Sequence, residues 1–246
     1  MSNIANKVIV WSSDDFNSLG LIRQLAVGDL DVFFLIKGRA SIASKSKYCK
    51  AYKETLSLDE AKHFLLNTYR DETIKPIIIT SNDSIITYID RCRNELSPFF
   101  HLPGTTRQGL SEQYTDKNSM TALARELGFL CPDSMPFNLS SSLNGISFPC
   151  IIKPSHQKPG HYNEFKTYIC NNINQLKHAR KFMRKDSEFI LQQLIPKEFD
   201  VLVYGGRMYD GDTRFAGAMI RDRFSMEGSS SHGFLQGSLP NYINSS

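Results

Sequence analysis

The segment ISFPCIIKPSHQKPG carries its apolar run into a lysine, Lys153, and a second apolar run, FILQQLIPKEFDVLVY, opens at Phe189. A strand that delivers a lysine sets a cation where an anionic group, such as a phosphate chain, can lie. A strand that leads through Gln192 and Gln193 into a turn and an acid offers polar edges and backbone groups to a flat base. Nothing in the sequence supplies a Ser-His-Asp or Cys-His arrangement for nucleophilic attack. The histidines form no ligand set either: His156 and His161 are separated by a proline and a glycine, so no helix face aligns them. Positioning and charge are the chemistry these residues can do.

The chain has 246 residues, enough for one large domain or two ordinary ones, and 41% of them are hydrophobic. A formal charge of +4 is too weak to argue for nucleic acid. The basic run KHARKFMRK (177–185) reads as the solvated face of a helix. Five cysteines, Cys49, Cys92, Cys131, Cys150 and Cys170, form no CxxC pair and are odd in number, which points to a reducing compartment. No stretch approaches the ~20 apolar residues of a membrane span, and the start lacks the order of a signal peptide. The expectation is a soluble, cytoplasmic protein that binds neither nucleic acid nor membrane.

Elements that must position these groups follow from the pattern. KVIVW (7–11), DVFFLI (31–36) and KPIIITS (75–81) read as buried strands. They alternate with helices at 16–26, after the cap Ser57, and from about 84 to 96. Such alternation predicts a parallel, doubly wound α/β sheet, whose ligands bind beyond the strand C-termini. The turn after the first strand, SSDDFNSLG, has Gly20 alone rather than GxGxxG, so a dinucleotide is disfavoured there. SPFFHLPGTTRQGL (97–110) reads as a linker. Asp116 caps a new helix over KNSMTALARELG, which Gly128 closes. Two strands, FPCIIKP and KTYIC, then an amphipathic helix and the strand FILQQLI, make a small α+β unit. Hairpins follow from Val201, and the tail from Phe224 reads as a loop. The two domains are expected at 1–112 and 113–246, the smaller subdomain of the second reaching about 196.

The ordered set VIVWSSDDFNSLG, SKSKYCKAY, PIIITSNDSIITYIDRCRNEL, DKNSMTALARELGFLCPDS, FPCIIKPS, ILQQLIPKEFDV and RFAGAMIRDRF resembles the ATP-grasp superfamily. Within it, the carboxylate–amine ligases similar to D-aspartate ligase are the nearest group. The resemblance covers nearly the whole chain and implies a pre-ATP-grasp-like α/β domain followed by an ATP-grasp domain that reads as incomplete.

Carried over residue by residue, the resemblance implies that Lys117 and Lys153 reach nucleotide phosphates. A lysine in the first turn of a helix is otherwise disfavoured by the helix dipole, and an anion would relieve it. Gln192 stands where many members carry a glutamate that accepts from the adenine amino group. Gln193 and Leu194 are implied to offer hinge backbone groups to the base, and Glu198 to hold the ribose, with Asp200 two residues on. Lys166 is implied near the γ-phosphate. Arg221 or Arg223, alternatives the sequence leaves open, is implied at an acyl-phosphate site. The loop SHQKPGHYNEF is poor in glycine, as in the D-aspartate ligase-like members.

In the family, Mg2+ is held by a strand carboxylate and a later Glu-x-Asn. After Asp200 this sequence has only Asp210, Asp212, Asp222 and Glu227, none followed by an x-Asn partner, so no metal ligand is assigned. The second half of the grasp therefore reads as cut off after its opening hairpin, in a shortened chain, an incomplete gene product or a degenerate binding protein. The implied activity is an ATP-dependent ligase that joins small carboxylate and amine substrates through an acyl phosphate, inactive as this chain stands, with a homodimer possible. The alternative is a non-catalytic nucleotide-binding or interaction module of the same fold.

Overall fold

Val8–Ser12 (β1) is buried at every position, as a strand must be when both faces of its sheet are covered. The computed structural model describes residues 6–28, 30–155, 165–185, 187–196, 200–207, 211–224 and 230–235. The chain divides into two compact units, Met1–Met120 and Thr121–Ser246.

In unit 1, β1 is followed by Phe16–Val27 (α1), Val32–Lys37 (β2), Ala51–Thr55 (β3), Leu58–Tyr69 (α2), Ile77–Ile79 (β4) and Asp83–Arg91 (α3). The sheet order is β3-β2-β1-β4, with every pairing parallel. Alternate residues of β1 serve opposite cores. Ile9 and Trp11 pack with Leu65 and Ile89 from α2 and α3, whereas Val8 and Val10 pack with Ile22 of α1. That is the doubly wound α/β arrangement expected from the sequence.

Three local features depart from the sequence reading. Strand β3 was not anticipated, because Ala51, Tyr52 and Lys53 are all exposed at the sheet edge and leave no apolar alternation to read. The helix expected over 84–96 is two pieces, α3 and Arg93–Leu96 (α4), interrupted at Cys92. Beside the break, Arg93 turns inward to the fully buried Asp90, Nε to Oδ1 at 3.4 Å. The stretch read as a linker is tied down: Asp90 also accepts from the N–H groups of Ser111 and Glu112. These open the short helix Leu110–Thr115 (α5).

Asp116 caps Lys117–Glu126 (α6) by accepting from the Ser119 N–H at 2.8 Å. Gly128, at φ +80°, closes it, as a residue in the left-handed region commonly does. Unit 2 continues with Ser134–Phe137 (β5), Cys150–Pro154 (β6), Tyr168–Cys170 (β7), Ile173–Arg180 (α7) and Phe189–Gln193 (β8). These strands form an antiparallel sheet in the order β5-β8-β6-β7. Helix α7 covers one face through Leu176 and Ala179, against Phe137, Cys150, Ile152, Phe189 and Leu191. It stops earlier than the apolar spacing suggests. Lys181, Phe182 and Met183 bond three residues back rather than four, and this tighter turn brings Met183 into the core.

Asp200–Arg207 (β9), Thr213–Phe224 (β10) and Ser230–Leu235 (β11) make a second antiparallel sheet, β11-β10-β9. The tail read as loop thus contains a strand, its apolar alternation thinned by serine and glycine. Gly205 is required where it sits, because a Cβ there would stand 2.3 Å from the Arg214 carbonyl oxygen.

Candidate nucleotide site on the small sheet

The antiparallel register sorts the residues of unit 2 by face. Cys150 and Ile152 of β6, with Phe189 and Leu191 of β8, point to α7. Their neighbours Ile151, Lys153, Ile190 and Gln192 take the other face, since successive side chains of a strand alternate. Ile151 is paired with Gln192, and Lys153 with Ile190. Ile151 and Ile190 are buried, at 9% and 2% exposure, and the half-buried Lys153 and Gln192 stand diagonally across them. The Lys153 ammonium donates to Gln192 Oε1 at 3.3 Å. Two residues expected from separate stretches of sequence to bind a cofactor are therefore brought together, in partly desolvated surroundings where a charge interacts more strongly than in water.

Just past this pair the ladder ends in an asymmetric way. Leu194 donates its N–H to the Pro149 carbonyl at 3.2 Å. An antiparallel hydrogen-bonded pair normally exchanges two such bonds, but proline has no N–H to return. The Leu194 carbonyl thus receives nothing from its ladder partner. On the other side of β8, the Gln193 N–H donates to the Asp133 carbonyl at 2.8 Å. Both hinge N–H groups are engaged within the sheet, so the backbone groups these two residues can turn to a ligand are carbonyls. The sequence reading missed the part played by Pro149. The signal was available, as a proline at the start of one strand opposite the end of another.

Lys117 is the first residue of α6 and lies in unit 1 by its contacts. Burial pushes its pKa below the usual lysine value, while Asp116 works in the other direction. Lys166 is exposed, shortly before β7. Arg221 and Arg223 are on β10, their backbone partners being Asp200 of β9 and His232 of β11, and the β10–β11 register shifts between Ile220 and Phe224. Glu198 and the loop residues 156–164 lie outside the described residues. Among the described residues, no three carboxylate, imidazole or thiol side chains gather as a metal site would require. No described helix is long and apolar enough to cross a membrane.

At the C-terminal edge of the parallel sheet in unit 1, the polar groups bond to one another. Ser12 Oγ meets Ser81 Oγ at 2.8 Å, and Asn82 Nδ2 donates to Ser13 Oγ at 2.9 Å. Lys37 Nζ reaches Ser84 Oγ at 2.7 Å. Asp14 is clamped nearby, accepting from the N–H groups of Ser41, Ile42, Ala43 and Ser44 and from the Ser44 hydroxyl.

Among solved structures, the chain superposes on an N5-carboxyaminoimidazole ribonucleotide synthetase in complex with ADP over 94% of its length. The TM-score is 0.68 at 17% identity. An L-amino acid ligase from Bacillus licheniformis matches over 96% at a TM-score of 0.70 and 14% identity. The ATP complex of carboxyaminoimidazole ribonucleotide synthase from Aspergillus clavatus matches over 92% at 0.65 and 11%. The fold is that of the ATP-grasp ligases. At these identities the likeness is one of fold, and no protein-family model or curated protein matches the sequence. The chain spans 58%, 56% and 56% of the lengths of these three ATP-grasp proteins.

Proposed function

We propose that this ATP-grasp chain binds a purine nucleoside triphosphate on the small sheet of unit 2, as part of an ATP-dependent carboxylate–amine ligase. The observation that carries the reading is the meeting of Lys153 and Gln192 on the face away from α7. It stands on a fold shared with ligases solved with ADP and with ATP. In this reading Lys153 takes the phosphates. Gln192 and the carbonyls of Gln193 and Leu194 take the base edge. Glu198 takes the ribose, and Lys166 adds a phosphate contact.

The reaction would transfer the γ-phosphoryl group to a carboxylate, giving an acyl phosphate and ADP. An amine then attacks the acyl carbon, forming the amide and releasing phosphate. The protein's part is orientation and charge, with lysine ammonium groups offsetting the oxygens of the transferring group. Arg221 or Arg223 would sit at the acyl phosphate. Among the described residues no carboxylates gather into a cage that fits Mg2+.

Calorimetric titration of the 246-residue chain with ATP and with ADP tests the binding half. Saturable binding is expected, with a rise in melting temperature, since ligand at a hundredfold excess over Kd adds about 2.7 kcal/mol. The absence of both binding heat and a thermal shift at millimolar nucleotide would end the reading. ADP release that depends on an added amine and a carboxylate separates a ligase from a nucleotide-binding module.

A further inference from the structure

An ammonium group only donates hydrogen bonds, so the end of the Gln192 amide that meets Lys153 has to be its oxygen, as found at 3.3 Å. The amide NH2 is then directed elsewhere, as a donor. A carboxylate at this position would be an acceptor at both oxygens. An amide is donor and acceptor, so with its oxygen on Lys153 it still keeps a donor end. One residue past the strand end lies the Leu194 carbonyl, to which Pro149 returns no N–H.

Purines differ at the edge such groups would read. Adenine carries an amino donor at C6 and an acceptor at N1, whereas guanine and hypoxanthine carry a keto acceptor at C6 and an N1–H donor. A side chain that can only accept favours the first and leaves the keto oxygen facing a carboxylate. The amide of Gln192 suits either, donating to a keto oxygen or to N1, or accepting from an amino group. The Leu194 carbonyl accepts a hydrogen bond equally from an amino group or from N1–H.

We infer that Gln192 makes the nucleotide site tolerant of 6-keto purines, so that GTP and ITP bind beside ATP. The inference rests on the nucleotide site proposed above. One donor–acceptor mismatch is worth about 10- to 150-fold in affinity, so tolerance means affinities for ATP, GTP and ITP within about tenfold of one another.

The experiment is calorimetric titration of the full chain and of Gln192→Glu with ATP, GTP and ITP, each protein first checked by its nucleotide-free melting curve. The glutamate would also pair with Lys153 and weaken all three nucleotides, so the readout is the ratio between them. The expected result is a wild-type ATP-to-GTP ratio below about tenfold that widens at least about tenfold in the variant. A wild-type ratio above about tenfold, or one that Gln192→Glu leaves unmoved, overturns the inference while sparing the nucleotide site. Binding of none of the three overturns both. If Gln192→Glu melts out, Gln192→Leu replaces it, and an expected loss shared by adenine and keto purines alike takes the place of the widened ratio. A loss confined to ATP would then overturn the inference.

Discussion

Lys153 and Gln192 lie 39 positions apart in the chain, yet their side chains share a hydrogen bond across neighbouring strands β6 and β8. On the proposed reading, replacing Lys153 with alanine removes a charge-assisted phosphate contact. The expected loss is about 1.5–3 kcal/mol of nucleotide binding, or roughly 10- to 150-fold in Kd. Calorimetry on wild type and variant checks it, and equal affinities would count against the phosphate role. The melting temperature without nucleotide should barely move, because the ammonium is only half-buried.

Lys117 combines two disfavoured circumstances, burial and the positive end of a helix. Its folded pKa lies below the unfolded value, so the penalty for holding its charge is present at neutral pH. The penalty fades as pH rises through the folded pKa toward 10.5. Lys117→Met should stabilise the nucleotide-free chain at pH 7 by up to about 1 kcal/mol. The gain should shrink as pH rises toward 10.5 in urea melts. A gain that grows with pH would reverse the sign and refute the account.

Asp14 has the opposite sign. Burial works against its charge, but the Ser44 hydroxyl and the N–H groups of Ser41, Ala43 and Ser44 outweigh it and hold its pKa below the usual carboxylate value. Stability from this clamp is complete above the ordinary carboxylate range and is lost as pH falls through the folded pKa. Asp14→Ala should cost about 1–3 kcal/mol at pH 7, and amide exchange at residues 41–44 should quicken. Unchanged protection of those four amides would show that the loop holds itself.

Arg93, nearly buried, faces Asp90 and also donates to the Pro103 carbonyl. Asp90→Ala would leave that guanidinium without its counter-charge and the Ser111 and Glu112 N–H groups without their acceptor. The expected destabilisation is about 3–5 kcal/mol, measured as a fall in the urea midpoint. The double variant with Arg93→Met should recover part of it. A single variant as stable as wild type would mean the pair is not buried as described.

The strands and helices of unit 1 with one apolar side or a full apolar run were legible from residue order, because local burial imposes a period that the sequence records. So were the caps at Ser57 and Asp116, whose side chains bond within three residues. The edge strand β3 was not, since a strand exposed at 51–53 carries no such period. Strand β11 was hidden because serine and glycine interrupt its apolar pattern. Lys153 and Gln192 stood out in the sequence as separate residue types at separate strand ends. That they touch was decided by the register of β6 against β8, a long-range pairing that neither segment encodes alone. The break at Cys92 and the tying-down of 103–112 depend on a buried carboxylate, Asp90, meeting groups up to 22 residues away. Desolvation makes that pairing obligatory once the core closes, and burial exists only in the folded chain.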